Sequence, residues 1–334
     1  MNFLYINFPS FIHPELFPKV PVLNLIHWYG LMYIFAFTTA WFILKKLCRE
    51  GFLDSRGPNN ELLQKTTEDD VFSFLATGII FLILGARIFS TLVYDTSGDY
   101  FKKPWLIFWP FDSNMHFTGL RGMSYHGGFI GGLFGMLFWC KRHKRPVLLW
   151  LDAIALAIPL GYTFGRLGNF FNGELYGRIT TVPWGMVFPS ADKFSSSIDW
   201  VKEFAARVNM NIDGITKVNL PRHPSQIYEA VFEGVILWLA LWNIRKFKKF
   251  DGFIAPFYPI GYGLARFVIE YFREPDADLG FRIGPNTNAH IYENTSLLNL
   301  STGQILCALM IIGGIAMFIG CYLWNKRQKS VLAN

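Results

Sequence analysis

The amino-acid sequence predicts an all-α integral membrane protein with seven transmembrane helices and a small extracytoplasmic head. Three observations predict it: few charged residues, long apolar segments, and basic clusters in alternate connections. Of the 334 residues, 52% are apolar and only 16% are charged, whereas about a quarter of an ordinary soluble domain is charged. The composition also excludes a disordered chain, which needs low hydrophobicity and high net charge.

Seven segments reach or approach the roughly 20 helical residues that cross a bilayer core about 30 Å thick. They are Trp28–Leu47, Val71–Tyr94, Gly127–Cys140, Val147–Gly165, Ser225–Ile244, Gly252–Phe272 and Gly303–Trp324. The preceding stretch, Met1–Pro21, has one lysine, four prolines and no continuous apolar core. It is therefore not expected to be a cleavable signal peptide.

Basic residues cluster after the first, third, fifth and seventh segments. They are Lys45, Lys46, Arg49, Arg56 and Lys65; Lys141, Arg142, Lys144 and Arg145; Arg245, Lys246, Lys248 and Lys249; and Lys326, Arg327 and Lys329. Short cytoplasmic loops of membrane proteins carry such an excess of Lys and Arg. This pattern predicts an extracytoplasmic N-terminus and a cytoplasmic C-terminus, and it explains the net charge of +7 without a nucleic-acid partner.

Two longer outer connections lack a long apolar run and are expected to form the head within a single polytopic domain, 1–334. The first, 178–223, is the head insertion, and the second, 273–302, is an extracytoplasmic loop. Within the first, Asp199–Val208 places apolar residues three to four apart, which is typical of a short amphipathic helix. A solvated cluster of loops without chemistry remains the alternative.

Ionisable residues within or beside the apolar segments are candidates for function, because each costs several kcal/mol unless it is paired or solvated. Near the predicted outer ends lie Arg87, His126, Arg166, Glu174, Glu229, Glu233, Arg266 and Glu270. Five segments thus deliver polar groups to one leaflet.

The arginines among these residues suggest an anion site, because guanidinium stays protonated and binds phosphate through a planar fork of donors. A phospholipid head group is the anion available at that depth. Two structural alternatives stay open. Arg266 and Glu270 could form an i,i+4 ion pair, and Glu229 and Glu233 could neutralise Arg87 or Arg166, since buried charges are generally paired.

His126 precedes the glycine-rich run Gly127-Gly128-Phe129-Ile130-Gly131-Gly132. Small residues four apart let helix backbones approach closely, so the glycines predict packing. A histidine titrates near neutral pH and can act as a general base. A structural histidine is the alternative at this position.

The segment Gly165–Gly177 contains four glycines, two asparagines, an arginine and a glutamate. It directly follows an apolar segment, so we expect the backbone to leave helical geometry at membrane depth, where only protein or a water-filled cavity can cover it. If the helix instead continues, Arg166 and Asn169 are three residues apart and can face one target.

Gly165–Gly177 resembles the signature G-R-x-G-N-F-x-N-x-E-x-x-G of the bacterial prolipoprotein diacylglyceryl transferases at every fixed position. Supporting similarity lies in Met123–Gly128, in His223–Glu229, and in Gly261–Phe267 with Arg273–Asp276. The resemblance implies a seven-helix inner-membrane enzyme. Such an enzyme moves diacylglyceryl from phosphatidylglycerol to the thiol of a lipobox cysteine in a preprolipoprotein and releases glycerol phosphate.

The same resemblance implies the roles of individual residues. The essential histidine falls on His126, the phosphatidylglycerol-binding arginine on Arg166 and a second essential arginine on Arg266. Further substrate-binding positions are Asn169, Glu174, Gly177, Tyr29 and Tyr262.

The expected partners are phosphatidylglycerol, preprolipoprotein signal peptides and membrane lipids, and neither cofactor nor metal is expected. The resemblance places the protein in the bacterial inner membrane with its active site on the extracytoplasmic side. A seven-helix transporter or flippase for an anionic lipid or solute is the alternative function, since intramembrane arginines and broken helices also build such sites.

Overall fold

A computed structural model describes residues 5–18, 20, 26–57, 60–95, 98–111, 115–116, 122–275, 280–286, 291–292 and 296–333, with side chains as far as residue 328. The helices in these ranges are α1 (Trp28–Arg49), α2 (Glu68–Phe89), α3 (Asp99–Lys102), α4 (Tyr125–Arg142), α5 (Val147–Phe171), α6 (Asp199–Arg207), α7 (Ser225–Glu229), α8 (Leu237–Ile244), α9 (Phe257–Ile269) and α10 (Thr302–Ala333). A π-helical turn, Ser90–Tyr94, extends α2, and another, Ala230–Ile236, joins α7 to α8.

The strands are short and pair in twos. They are β1 (Ile6–Asn7), β2 (Ser55–Arg56), β3 (Leu62–Gln64), β4 (Met186–Val187), β5 (Phe194–Ser195), β6 (Lys217–Val218), β7 (Phe281–Ile283) and β8 (Leu300–Ser301). β1 pairs with β4 in parallel, whereas β2 with β3, β5 with β6, and β7 with β8 are antiparallel.

In the described part of the chain, five helices are long and apolar enough to cross a membrane. They are Trp28–Arg49, Glu68–Tyr94, Val147–Phe171, Ser225–Phe247 and Thr302–Gln328. The protein is therefore a multi-pass helical membrane protein. The other two predicted spans form α4, with 18 residues, and α9, with 13. At 1.5 Å per residue α9 is about 20 Å long, which is shorter than a bilayer core.

The predicted boundaries of the sixth segment, Gly252–Phe272, were wrong at both ends. The chain turns at Gly252, where φ is +84°, and α9 begins only after Pro256. A turn follows the helix, with the amide of Phe272 bonded to the carbonyl of Ile269.

The backbone leaves helical geometry within Gly165–Gly177, as predicted, but later than the predicted end of the fourth segment at Gly165. α5 continues to Phe171, because a helical glycine costs only about 1 kcal/mol relative to alanine. The chain leaves the helix at Gly173 and Leu175, whose φ angles are +66° and +56°.

The chain divides into two compact units, Met1–Ala40 with Ile154–Asn334, and Trp41–Ala153. In the second unit α2 and α4 pack through glycine. A Cβ on Gly131 would meet the carbonyl oxygen of Phe81, and one on Gly85 would lie 2.5 Å from the carbonyl oxygen of Gly127. The expected packing role of these glycines is confirmed.

In the first unit, glycines also permit close approach of the helices that carry the polar cluster. A Cβ on Gly234 would meet the hydroxyl of Thr163 in α5, and one on Gly263 would lie 3.0 Å from the carbonyl oxygen of Cys307 in α10. The helix from α7 to α8 therefore lies close to α5, and α9 lies close to α10.

The segment 178–223 has an apolar core of its own. α6 forms where a short amphipathic helix is predicted, and its Val201, Phe204 and Ala205 are buried. They pack with residues that include Phe194 of β5 and Val218 of β6. This segment is thus a folded element rather than a set of solvated loops.

Candidate functional site

Two arginines and one glutamate form the centre of a buried polar cluster in the first unit. Oε2 of Glu229 lies 2.9 Å from Nε of Arg166 and 2.9 Å from Nη1 of Arg266. Glu229 is completely buried, and Arg266 is 8% exposed. A single carboxylate oxygen from α7 therefore bridges guanidinium groups from α5 and α9.

Two more carboxylates and a third arginine complete the cluster. Nη2 of Arg266 lies 3.2 Å from Oε2 of Glu270, and Nη1 lies 3.7 Å from Oε1 of Glu233. Nε of Arg273 lies 3.9 Å from Oε1 of Glu229. Three guanidinium groups therefore face three carboxylates.

The sequence left open that these charged residues only form structural ion pairs, and such pairs are present in part. The i,i+4 pair of Arg266 with Glu270 exists, but Arg266 also reaches Glu229 on another helix. Glu229 pairs with Arg166, as expected for a buried carboxylate. Arg87 instead donates to main-chain carbonyls, among them that of Ile107, within the second unit.

Tyr162 connects the arginines to the third carboxylate, and sequence reasoning missed it. Nε of Arg166 donates to the Tyr162 hydroxyl over 2.6 Å, and this hydroxyl donates to Oε2 of Glu233. The ring of Tyr262 lies perpendicular to that of Tyr162, with centroids 5.7 Å apart. A tyrosine in an apolar helix looks like an ordinary core residue. Only its position four residues before Arg166 could have indicated that the two side chains are in contact.

The signature asparagine and glutamate extend the cluster beyond Arg166. Nη1 of Arg166 donates to Oδ1 of Asn169 over 3.3 Å, and Nδ2 of Asn169 donates to Oε1 of Glu174 over 3.0 Å. The side chain of Asn172 donates to the same Glu174 oxygen over 3.3 Å. Because α5 continues through Asn169, the spacing of three residues places both side chains together.

Gly177 contributes its backbone. Its amide donates to the carbonyl of His223 over 2.8 Å, and the next amide, of Arg178, donates to the carbonyl of Phe272 over 2.9 Å. A Cβ on Gly177 would meet the Phe272 carbonyl oxygen and lie 2.8 Å from Cβ of His223. This glycine lets three chain segments meet, and one of them leads into Arg273.

His223, which lies outside the candidate spans, is partly buried at this junction. Burial, and to a smaller extent the positive charge of Arg178, lowers the pKa of its imidazole to about 4. The ring packs against Phe272, with centroids 5.2 Å apart. The imidazole is therefore neutral at physiological pH.

Tyr29 lies on α1 beside the signature helix. A Cβ on Gly168 would lie 3.1 Å from Cδ2 of Tyr29, and the Tyr29 hydroxyl is 3.3 Å from that of Tyr33. The second signature glycine thus makes room for α1.

His126 belongs to the second unit. It lies in the first turn of α4, which Ser124 caps by accepting a hydrogen bond from the amide of Gly127 over 3.1 Å. Nδ1 of His126 lies 2.9 Å from the hydroxyl of Tyr94. Tyr94 ends the π-helical turn after α2, and this contact holds the ring through one nitrogen.

Both π-helical turns adjoin candidate residues. One carries Tyr94, and the other begins directly after Glu229 and contains Glu233. Such turns insert a residue into an α-helix and occur frequently at functional sites. Hydropathy and spacing did not reveal them.

Within the described residues, no group of three or more His, Cys, Asp or Glu side chains is arranged to hold a metal ion.

The sequence profile of the family "prolipoprotein diacylglyceryl transferase" matches residues 19–320. The chain belongs to this family. The match covers both units and every residue of the polar cluster, which makes the cluster the candidate active site of a prolipoprotein diacylglyceryl transferase family member.

Relatives within the family align with almost the whole chain. A phosphatidylglycerol–prolipoprotein diacylglyceryl transferase of Treponema denticola is 50% identical over 340 residues, covering 99% of this chain and 98% of the relative. Proteins of the same name from Treponema pallidum and Borreliella afzelii are 48% and 40% identical, with 98% of this chain covered in each case. They cover 98% and 99% of the respective relatives.

Proposed function

We propose that this protein transfers the diacylglyceryl group of phosphatidylglycerol to the lipobox cysteine thiol of a preprolipoprotein and releases glycerol phosphate. One observation carries the proposal: Arg166 and Arg266 meet at a single carboxylate oxygen, in a chain of the diacylglyceryl transferase family. Two guanidinium groups that share one oxygen are close enough to bind the oxygens of one phosphate.

In this reaction the cysteine sulfur attacks the glyceryl carbon. A C–S bond forms while the C–O bond to phosphate breaks, and the electron pair stays on the leaving phosphate. Arg166 and Arg266 neutralise the charge on that phosphate, and one well-placed donor of this kind is worth about 3–4 kcal/mol. The cluster is buried, which strengthens such an interaction relative to water.

The remaining site residues bind or orient the lipid head group. Asn169 is held by Arg166 and Glu174, so Asn169 and Tyr262 can orient the head group from two helices. Glu174 stabilises the turn after α5, with Gln226 donating to its carbonyl over 2.7 Å. Tyr29 lies on α1 against Gly168 of the signature helix. Gly177 allows its own segment to pack against the backbone at His223 and Phe272.

His126 is proposed to accept or position the thiol proton. The thiolate is the nucleophilic form of cysteine, and a free thiol has a pKa of about 8.5, so a base assists at neutral pH. Its contact with the Tyr94 hydroxyl supports an oriented imidazole.

The proposed topology has seven spans, an extracytoplasmic N-terminus and a cytoplasmic C-terminus, in the bacterial inner membrane. The two additional crossing segments are α4 and the stretch 252–272, in which turns flank the short helix α9. The alternating basic clusters support this orientation. It places 178–223 and 273–302, as head and loop, and the polar cluster on the extracytoplasmic side.

Mass spectrometry of a lipobox peptide tests the activity. The purified protein is incubated with phosphatidylglycerol and the peptide, and the expected product is heavier by one diacylglyceryl group. A peptide with serine in place of cysteine, and the variant Arg266→Ala, should remain unmodified, with the variant still inserted in the membrane. An unchanged cysteine peptide would contradict the proposal and favour a transporter.

A further inference from the structure

At the centre of the polar cluster, three guanidinium groups face three carboxylates before any lipid binds, so these six side chains are balanced in formal charge. Its guanidinium groups belong to Arg166, Arg266 and Arg273, and its carboxylates belong to Glu229, Glu233 and Glu270. A phosphodiester adds a fourth negative charge. Because an uncompensated charge in a buried site is costly, binding of an anionic head group requires one carboxylate to lose its charge or its partners.

The three carboxylates are not held equally. Glu229 accepts a hydrogen bond from Nη1 of Arg266 over 2.9 Å and forms an ion pair with Nε of Arg166 at 2.9 Å. Glu270 has a guanidinium nitrogen at 3.2 Å and accepts from the hydroxyl of Ser301 over 3.0 Å. For Glu233, the cluster places the nearest guanidinium atom, Nη1 of Arg266, at 3.7 Å, and its other oxygen faces the uncharged hydroxyl of Tyr162.

Glu233 and Glu229 are both completely buried, so the negative charge of each has lost its hydration. Glu233 has the weaker ion pair, because its nearest guanidinium nitrogen is 3.7 Å away rather than 2.9 Å. It is therefore the carboxylate whose negative charge the cluster stabilises least. Its hydrogen bond to Tyr162 survives protonation, because a carboxylic acid keeps an acceptor oxygen.

We propose that Glu233 is a proton-binding site linked to the lipid: it takes up a proton from solvent when an anionic phosphodiester binds at Arg166 and Arg266. The inference rests on the proposed function of these arginines. The carboxylate becomes a carboxylic acid, so the formal charges of the six central side chains and the bound phosphodiester still sum to zero.

Among the described residues, several titratable or charged groups from four elements interact with Glu233 or its partners. From α5 they are Tyr162 and Arg166, from its own helix Glu229, from α9 Arg266 and Tyr262, and from α10 Cys307. Glu229 is thus the only other carboxylate among these facing groups, and two guanidinium groups hold it.

Proton uptake gives a measurable linkage. In the pH range where Glu233 is ionised without lipid and protonated with it, affinity for phosphatidylglycerol should rise about tenfold per unit fall in pH. The phosphodiester itself remains a monoanion in this range. The slope of affinity against pH therefore measures protonation of the protein and not of the lipid.

Calorimetric titration tests the inference on the full chain in detergent micelles, with short-chain phosphatidylglycerol as the probe. Titrations in two buffers of different ionisation enthalpy give the number of protons taken up, which we expect to approach one per lipid at a pH where Glu233 is ionised without lipid. Glu233→Gln should bind the lipid with almost no uptake. Glu203→Gln, an exposed carboxylate of α6, is the matched control and should keep the uptake.

Three outcomes would overturn the inference: binding to the wild type without proton uptake, unchanged uptake in Glu233→Gln, or uptake that disappears in Glu270→Gln instead. If Glu233→Gln does not fold, an infrared difference spectrum of the wild type replaces the calorimetric comparison. Lipid addition should produce a carboxylic-acid band, and the absence of this band refutes the inference.

The peptide assay on the same preparations separates the proton-uptake inference from the proposed transferase function. Transfer without proton uptake contradicts only this inference, and uptake without transfer contradicts only the proposed function.

Discussion

At the scale of single residues, the shared oxygen of Glu229 explains how two like-charged guanidinium groups stay close in a buried site. Arg166 approaches it through Nε and Arg266 through Nη1, which leaves other donors of each planar group for additional acceptors. Arg166 uses one such donor on Asn169. Lysine has the charge but not this divided set of donors.

Replacing Arg166 by lysine should therefore reduce diacylglyceryl transfer by roughly 10- to 100-fold, the loss expected for one charge-assisted hydrogen bond or two. Initial rates of peptide modification at several lipid concentrations measure the effect. Arg207→Lys, on the exposed end of α6, is the control and should keep the wild-type rate. Full activity of Arg166→Lys would argue against binding of phosphate through the guanidinium fork.

His223 gives a prediction about stability. Burial holds its folded-state pKa near 4, below the ordinary 6.5, so the unfolded chain takes up a proton first as pH falls. The free energy of unfolding should then decrease between about pH 6.5 and pH 4 and level off below. Melting temperatures in detergent, compared between the wild type and His223→Gln, isolate this contribution. An equal pH dependence in the two proteins would rule it out.

Sequence reasoning located most residues of the site but not their pairing. Arg166, Asn169, Glu229, Arg266 and Glu270 all stand out as polar groups beside apolar segments. Which carboxylate faces which arginine depends on distances between helices, and these have no expression in residue spacing. Spacing within one helix predicted the pair of Arg266 with Glu270, whereas the sequence left open whether Glu229 faces Arg87 or Arg166.

At the scale of elements, glycine decides how closely helices approach. The signature glycines serve different purposes: Gly168 admits Tyr29, and Gly177 admits the backbone of Phe272. Helix ends were harder to predict, because α5 tolerates Gly165 and Gly168 and stops only where positive φ angles begin at Gly173.

Two signature glycines should respond differently to alanine. A Cβ on Gly177 would overlap neighbouring backbone, whereas one on Gly165 would have no atom within 4 Å among the described residues outside its own turns of α5. Gly177→Ala should lower the melting temperature and the transfer rate, because the junction that leads into Arg273 must move. Gly165→Ala should fold at least as stably as the wild type, since alanine favours the helix. Similar melting temperatures for the two variants would contradict this interpretation.

The interface of α2 and α4 offers a second matched pair. A Cβ on Gly131 would overlap the Phe81 carbonyl, whereas a Cβ on Gly132 would lie 4.0 Å from Leu82. Gly131→Ala should destabilise the protein by about 1–3 kcal/mol, the usual cost of overpacking, and Gly132→Ala should not. Chemical denaturation in micelles measures both, and equal stabilities would refute the close packing.

At the scale of the whole molecule, composition was sufficient to predict a helical membrane protein, and five helices meet the requirements for a span. The sequence did not show that 178–223 has its own apolar core, because that core joins short strands and α6 from separate parts of the segment. The division at Trp41 and Ala153 lies within two apolar helices, where composition does not change.

The central claim is that Arg166 and Arg266 bind one lipid phosphate together. Solid-state NMR can measure dipolar coupling between the phosphorus of bound phosphatidylglycerol and guanidinium nitrogens in arginine-labelled protein. We predict couplings from two arginines at about 4 Å or less, the separation of a hydrogen-bonded pair, and loss of one coupling in each of Arg166→Lys and Arg266→Lys. Coupling to a single arginine, or couplings that both variants leave intact, would contradict it.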